Sequence, residues 1–202
     1  MFILGITGPT GSGKSEAADY FRGQGILVLD ADQFAGGIIA KSAKIKQDLA
    51  AEFGQDILDA NGALRKKLLA ERAFSSTEKA ARLSQITHPA ILQAMRRELT
   101  RLASSGIKRC VIDAPLLFES GADQFCGKTL GVLADEEIRL ARVMARDGIN
   151  EQAALRRMRI QPGDEFYRLR ADMIMENNGG KQALFAKLAQ LGEQLFENNQ
   201  MA

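Results

Sequence analysis

An apolar run, Phe2-Ile3-Leu4-Gly5-Ile6, leads through Thr7 into Gly8-Pro9-Thr10-Gly11-Ser12-Gly13-Lys14-Ser15, after which the residues take up a helical period. This segment satisfies G-x-x-x-x-G-K-[ST], with the strand before it and the helix after it that the pattern requires. No other feature narrows the fold as much, because such a loop works only where a buried strand hands the chain to a helix N-terminus. Its glycines let consecutive backbone N–H groups turn inward around a phosphate, and the helix end adds partial positive charge. The spacing assigns Lys14 to the β- and γ-phosphates and Ser15 to a magnesium ion. What becomes of a bound nucleoside triphosphate is not set by the loop, since motors, switches and kinases share it. A guanine-reading switch usually carries Asn-Lys-x-Asp, and no asparagine here is followed by lysine.

Further short apolar runs recur, each followed by a stretch of helical period: Ile26–Leu29, Cys110–Ile112, Leu130–Leu133 and Met173–Met175. They are too uniformly apolar for a sheet with one wet face. They predict an α/β fold whose five-stranded parallel sheet is flanked by helices. With 202 residues, 46% apolar and 26% charged, the chain can bury one core without disulfides or a structural metal, and a single domain is expected. Cys110 and Cys126 form no C-x-x-C pattern, and the one histidine, His88, is remote from both in sequence, so no familiar zinc spacing or Ser-His-Asp signature is present. Unpaired cysteines, no basic leader and no run of about 18 apolar residues together predict a cytoplasmic protein without membrane partners. A net charge of only +2 argues against broad nucleic-acid binding.

About eighty residues separate the second and third apolar runs, far more than one crossover helix needs. They read as helices at Ala43–Phe53, Leu64–Ala73, Thr77–Ile86 and Ile91–Ala103, the last ended by Ser104-Ser105-Gly106. A helical lobe over about 41–106 is therefore expected, inserted into a core of about 1–40, 107–134 and 171–202. Beyond the fourth run, Glu136–Asp147 and Glu151–Arg159 form arginine-rich helices within a segment of about 135–170. Lys181–Glu197 makes a last helix that frays into Asn198-Asn199-Gln200.

The second strand ends Leu29-Asp30-Ala31-Asp32. In extended chain the two carboxylates point to one side of the sheet, at the carboxyl end of a strand, where open α/β sheets place their ligands. One can orient Mg²⁺ while the other accepts a proton from an attacking hydroxyl. Alternatively, Asp30 caps a helix starting near Gln33 and Asp32 is an exposed acid of its first turn. Asp113, ending the third strand, stands where phosphate-loop proteins often carry a magnesium-orienting acid.

Four more segments follow in order. They are His88-Pro89-Ala90-Ile91, Asp113-Ala114-Pro115-Leu116-Leu117-Phe118-Glu119, the stretch from Arg142 to Gln161, and Ala171-Asp172 ahead of Asn177-Asn178-Gly179. With them, the chain from Leu4 to Gly179 resembles the dephospho-coenzyme A kinase family. The resemblance implies the P-loop NTPase fold, a helical acceptor-binding insert and an arginine-rich lid. It implies ATP-dependent phosphorylation of the ribose 3′-hydroxyl of dephospho-CoA with Mg²⁺, the last step in making coenzyme A. ATP and dephospho-CoA are then the partners, with no nucleic acid.

On that footing Asp32, Lys14 and Arg142 are the expected catalytic residues, with Asp32 the base. ATP contacts are expected from Gly11, Ser12, Gly13, Lys14, Ser15, Glu16 and Asn177, and metal contacts from Ser15 and Asp30. Asp32, His88, Pro115, Leu116 and Phe118 are expected at the acceptor. The chain departs from the family's usual Gly-Gly-Ile-Gly at Gly8-Pro9-Thr10-Gly11, from its usual threonine at Glu16, and from a common arginine at Lys66. Arg139, Arg142 and Arg146 recur at intervals of three and four along one helical face, where they can meet an anion together. Alone, such a row reads as a solvated face. The nearest rival is a nucleoside or nucleotide kinase, which differs in acceptor. Gly8-Pro9-Thr10 is also similar to the loop of enzymes that attach an isoprenoid to tRNA, and a regulatory ATP-binding module is a third class.

Overall fold

The structure, a computed structural model, describes residues 1–197. The expected fraying at Asn198-Asn199-Gln200 lies outside the described residues. Two compact units result, one formed by residues 1–30 with the chain from 106 onward and the other by Ala31–Ser105.

In the first unit, β1 (Phe2–Thr7), β2 (Leu27–Asp30), β3 (Arg109–Asp113), β4 (Lys128–Leu133) and β5 (Met173–Glu176) form one sheet in the order β2-β3-β1-β4-β5. Every pairing is parallel, as the apolar runs predict. The same unit carries α1 (Lys14–Gly23), α6 (Glu136–Asp147), α7 (Glu151–Arg159), α8 (Asp164–Arg168) and α9 (Lys181–Glu197). Leu4 and Ile6 of the central strand are fully buried with Val111, Leu130 and Val132, and Phe21 of α1 and Leu184 and Leu188 of α9 close over them. Each such side chain contributes about 1.5–3 kcal/mol on burial, enough to fix which strand lies in the middle. Parallel pairing then brings every strand's carboxyl end to one edge.

The second unit contains α2 (Ala31–Lys41), α3 (Ala43–Phe53), α4 (Lys66–Ala73) and α5 (Thr77–Ser104). Ser42 Oγ accepts from the Ile45 N–H at 3.2 Å and Ser76 Oγ from the Lys79 N–H at 3.3 Å, capping α3 and α5. Ile45, Leu49, Phe53, Ile57 and Ala73 form its core.

Three expectations are corrected here. Residues 31–40, expected with the sheet, belong to the helical unit, because α2 packs on α3 and α5. Asp32 stands in the first turn of α2 rather than in extended chain, since the helix begins immediately after Asp30. The helices expected on either side of His88-Pro89 are one helix with Pro89 inside it. Proline forfeits the N–H bond to the Gln85 carbonyl and normally ends a helix. Here buried Thr87, Met95, Leu99 and Leu102 hold α5 on both sides of it, and Thr87 Oγ1 donates to the Leu83 carbonyl at 2.8 Å. No described helix is long and apolar enough to cross a membrane.

Candidate active site

β1 delivers the chain to the loop, and Gly13 takes the N-cap position of α1 with φ 94° and ψ 16°. No side chain caps this helix, so the N–H groups of its first turn, Lys14, Ser15 and Glu16, lack intrahelical acceptors and open onto the loop. Gly11 is also left-handed, at φ 80°, and a Cβ there would fall 2.6 Å from the Arg139 carbonyl oxygen. Conformation and crowding together demand glycine at both positions. The Thr10 N–H donates to Gln161 Oε1 at 2.7 Å, and the Ser12 N–H to the Pro9 carbonyl at 3.2 Å. Ser12 is fully buried and its hydroxyl has no partner, so it can offer a ligand only backbone. Glu16 is exposed, an acid in the first turn that complements the helix end.

Lys14 Nζ is ion-paired with Asp113 Oδ1, both side chains being nearly nine-tenths buried. The β2–β3 register sets Asp30 directly beside Asp113. Burial pushes the Asp113 carboxyl above its usual range, Lys14 pulls it down, and the charge of Asp30 pushes it up again. Lys14 is thus paired with one carboxylate, Asp113, while the second, Asp30, stands at the adjacent strand end. The two carboxylates and the hydroxyl of exposed Ser15 are hard oxygen donors, a chemistry that fits Mg²⁺, an ion that takes one or two carboxylates and fills its octahedron with water and phosphate oxygens. Of the expected metal contacts, Asp30 is the one that the strand register sets beside Asp113.

The row of arginines on α6 divides. Arg142 Nη1 donates to the Gly11 carbonyl at 3.3 Å and Nη2 to the Gly179 carbonyl at 2.9 Å. Arg146 Nη2 donates to Thr10 Oγ1 at 3.3 Å, but its guanidinium is paired with Asp147, which also binds Arg157. That pairing holds Asp147 below and Arg146 above their ordinary pKa values. Arg139 is 9% exposed, so the solvated face that the row alone would suggest does not hold for it. Its Nη2 lies 3.8 Å from Asp164 Oδ1, beyond hydrogen-bond range, and both Arg139 Nε and that oxygen are buried without a partner. Among the described residues, Arg142 is the one of the three that faces no carboxylate.

Asn177, just past β5, is 2% exposed. Its N–H donates to the Leu133 carbonyl and its Nδ2 to the Ser12 carbonyl, both at 2.8 Å. The side chain expected on ATP therefore sits on the loop's own backbone. Asn178 Oδ1 accepts from the Asp135 N–H at 2.9 Å, at the head of α6. Of the expected acceptor residues, Leu116 is 51% exposed, Pro115 is half-buried, and half-buried Phe118 meets Phe166 edge-on with ring centres 6.1 Å apart. The Arg170 guanidinium lies 4.1 Å above the Phe166 ring. Asp32 and His88 belong to the helical unit, where half-burial holds the His88 pKa below its ordinary value. Sequence reasoning gave no individual role to Gln161, Asp164 and Phe166, which meet Thr10, Arg139 and Phe118 from far away in the chain.

Residues 2–183 match the family described as dephospho-CoA kinase. A dephospho-CoA kinase of Corynebacterium diphtheriae is 40% identical over 184 residues, covering 91% of this chain and 92% of that protein. One from Syntrophotalea carbinolica is 43% identical over 180 residues, covering 89% and 85%. A solved structure, the dephospho-CoA kinase from Campylobacter jejuni, superposes with a TM-score of 0.71 at 26% identity over 97% of this chain and 98% of its own.

Proposed function

The chain belongs to the dephospho-CoA kinase family, phosphotransferases that use ATP to phosphorylate dephospho-CoA in coenzyme A biosynthesis, and from that premise we propose how its residues share the reaction. Phosphoryl transfer needs positioning and charge stabilisation rather than covalent chemistry from the protein. The N–H groups at the head of α1 hold the β- and γ-phosphates, with Gly11, Gly13 and Ser12 contributing backbone. Lys14, held in place by Asp113, supplies positive charge to the same oxygens. Arg142 brings a guanidinium that no carboxylate neutralises to the charge spreading over the equatorial oxygens of the moving phosphoryl group. Asp32 accepts the proton of the ribose 3′-hydroxyl as it attacks in line. Ser15, Asp30 and Asp113 would hold magnesium, which when bound neutralises charge on the β- and γ-phosphate oxygens. Pro115, Leu116 and Phe118 offer the acceptor an apolar wall, and His88 a hydrogen-bonding contact.

The observation that carries this reading is Lys14 seated on Asp113 at the open head of α1, with Arg142 bonded to the loop at Gly11. The reaction is proposed for the cytoplasm, with ATP and dephospho-CoA as partners and neither nucleic acid nor membrane. The test is ADP formation from ATP and Mg²⁺ with dephospho-CoA, adenosine, nucleoside monophosphates and tRNA as acceptors. Dephospho-CoA should give the highest kcat/KM. An equal or higher value with a nucleoside monophosphate would make the protein a nucleotide kinase.

A further inference from the structure

We propose that Asn177 is a positioning residue for the triphosphate, acting through the phosphate loop from behind without touching the nucleotide. The inference deepens the reading above and rests on its assignment of the loop to phosphate.

Asn177 is anchored on the sheet, because its N–H is bonded to Leu133 at the end of β4. From there its side chain reaches the Ser12 carbonyl, a contact wholly out of water. Only the NH₂ side of the amide can meet a carbonyl oxygen, which fixes the amide's orientation. No peptide bond among the described residues is cis. In a trans peptide the C=O and the next N–H point in opposite directions. Drawing the Ser12 oxygen back onto Asn177 therefore turns the Gly13 N–H away from Asn177, toward the concave side where a phosphate lies.

Crowding points the same way. A Cβ on Gly13 would collide with Asn177 Nδ2, so the loop is seated on this amide with no room for a side chain between them. Asn177 Oδ1 and Ser12 Oγ are buried without partners, so the Ser12 bond is what holds the amide in place. An amide sunk beneath the loop in this way has no edge to offer a base or ribose.

The test measures binding calorimetrically, without turnover, for tripolyphosphate, which has no base, and for ATP. Asn177→Asp keeps the shape and loses the donor, and Asn177→Ala loses both. Both ligands should weaken by the same factor, about 10- to 100-fold, the usual consequence of stranding a buried carbonyl and misdirecting a phosphate donor. Dephospho-CoA affinity, measured on the same samples, should hold, which a general loss of structure would not allow. Weaker ATP with unchanged tripolyphosphate would overturn the proposal and make Asn177 a base or ribose contact. Unchanged affinity for both would leave the residue no role in phosphate binding. The unaltered protein supplies a measurement that does not depend on variants folding. With ¹⁵N-glycine labelling, the Gly13 amide resonance should move strongly on adding tripolyphosphate, and a stationary resonance with binding observed would refute the peptide orientation. If the unaltered protein binds neither ATP nor tripolyphosphate, the nucleotide reading of the loop fails before Asn177 is tested.

Discussion

Arg139 and Arg142 lie one turn apart on α6, and the structure predicts that truncating them damages different properties. Arg142 is half-buried, donates to two backbone carbonyls at 3.3 and 2.9 Å, and leaves no carboxylate behind when removed. Arg142→Ala should cost stability no more than about 1 kcal/mol, as for other partly exposed charges. Its contribution lies in the transition state, where one lost donor to the developing charge lowers kcat by about 10²–10³-fold. Arg142→Lys keeps the charge but loses the planar fork, so it should recover part of that loss.

Arg139 is 9% exposed, and its removal strands Asp164 beside a cavity. Breaking a buried ion pair typically costs 3–5 kcal/mol. The two groups stand 3.8 Å apart and the Asp164 side chain is 35% exposed, so water screens part of this and about 1–3 kcal/mol is the reasoned figure. For a domain of this size that lowers Tm by roughly 3–10 °C. Thermal melts and initial rates on the same preparations separate the two effects. A normal Tm in Arg139→Ala with kcat reduced as far as in Arg142→Ala would show that Arg139 acts on the phosphates, and the division of labour along α6 would fall.

Lys14→Ala should lose most turnover, because it removes the charge at the phosphates and strands buried Asp113; near-normal kcat would take the loop lysine out of the mechanism. Asp32→Asn should lower kcat about 10²–10⁴-fold with little change in ATP affinity, since the amide cannot accept the proton. If Asp30→Asn is the crippled variant and Asp32→Asn works normally, the roles of base and metal ligand are exchanged. Gly11→Ala forces a Cβ toward the Arg139 carbonyl at a left-handed position, so it should weaken ATP binding and lower Tm together, and a variant with wild-type values of both would contradict the crowding. His88 titrates below its ordinary 6.5 because burial disfavours the imidazolium. Above that value folded and unfolded chains are both neutral, whereas below it the unfolded chain takes up the proton first, so stability should decline as pH falls through 6.5 toward the lower folded value. Urea midpoints measured across that range should flatten in His88→Gln.

The phosphate loop was legible because everything it needs is local: a strand, a glycine-rich turn and a helix start within a few residues of one another. The parallel sheet was legible because strands buried on both faces cannot alternate, and the apolar runs show it. Pro89 misled for an energetic reason. An interior proline costs a helix about 3 kcal/mol, from the lost hydrogen bond and the clash of its ring with the preceding turn, which outweighs local helix propensity but not a helix held by buried side chains on both sides of the break, and no local pattern reports that packing. The arginines of α6 show a different limit. Three-and-four spacing places them on one face, yet whether each meets the loop or a carboxylate depends on Thr10, Gly11, Asp147 and Asp164, and of these only Asp147 is a neighbour in sequence.

What gathers such distant residues is the sheet order itself. With all pairings parallel, the carboxyl ends of β2, β3, β1, β4 and β5 share one edge, which places Asp30, Asp113, the loop, Asp135 and Asn177 along it in that sequence. Asp30, Asp113, Asp135 and Asn177 each lie within two residues of a strand end, so a search of those positions recovers them from apolar runs alone, while Lys14 and Ser15 need the loop motif and Arg142 lies further along, on α6. It does not recover what each does. Asp30 and Asp113 become a pair only because β2 and β3 are neighbours in register, and the charge of Asp30 then pushes the Asp113 carboxyl up against the pull of Lys14. Asn177 reaches Ser12 only because β4 alone separates β5 from β1, a span of about 10 Å at the usual strand spacing that a bond to Leu133 and one amide side chain can bridge. Exchanging β4 and β5 in the order would leave every motif intact and dissolve the clamp.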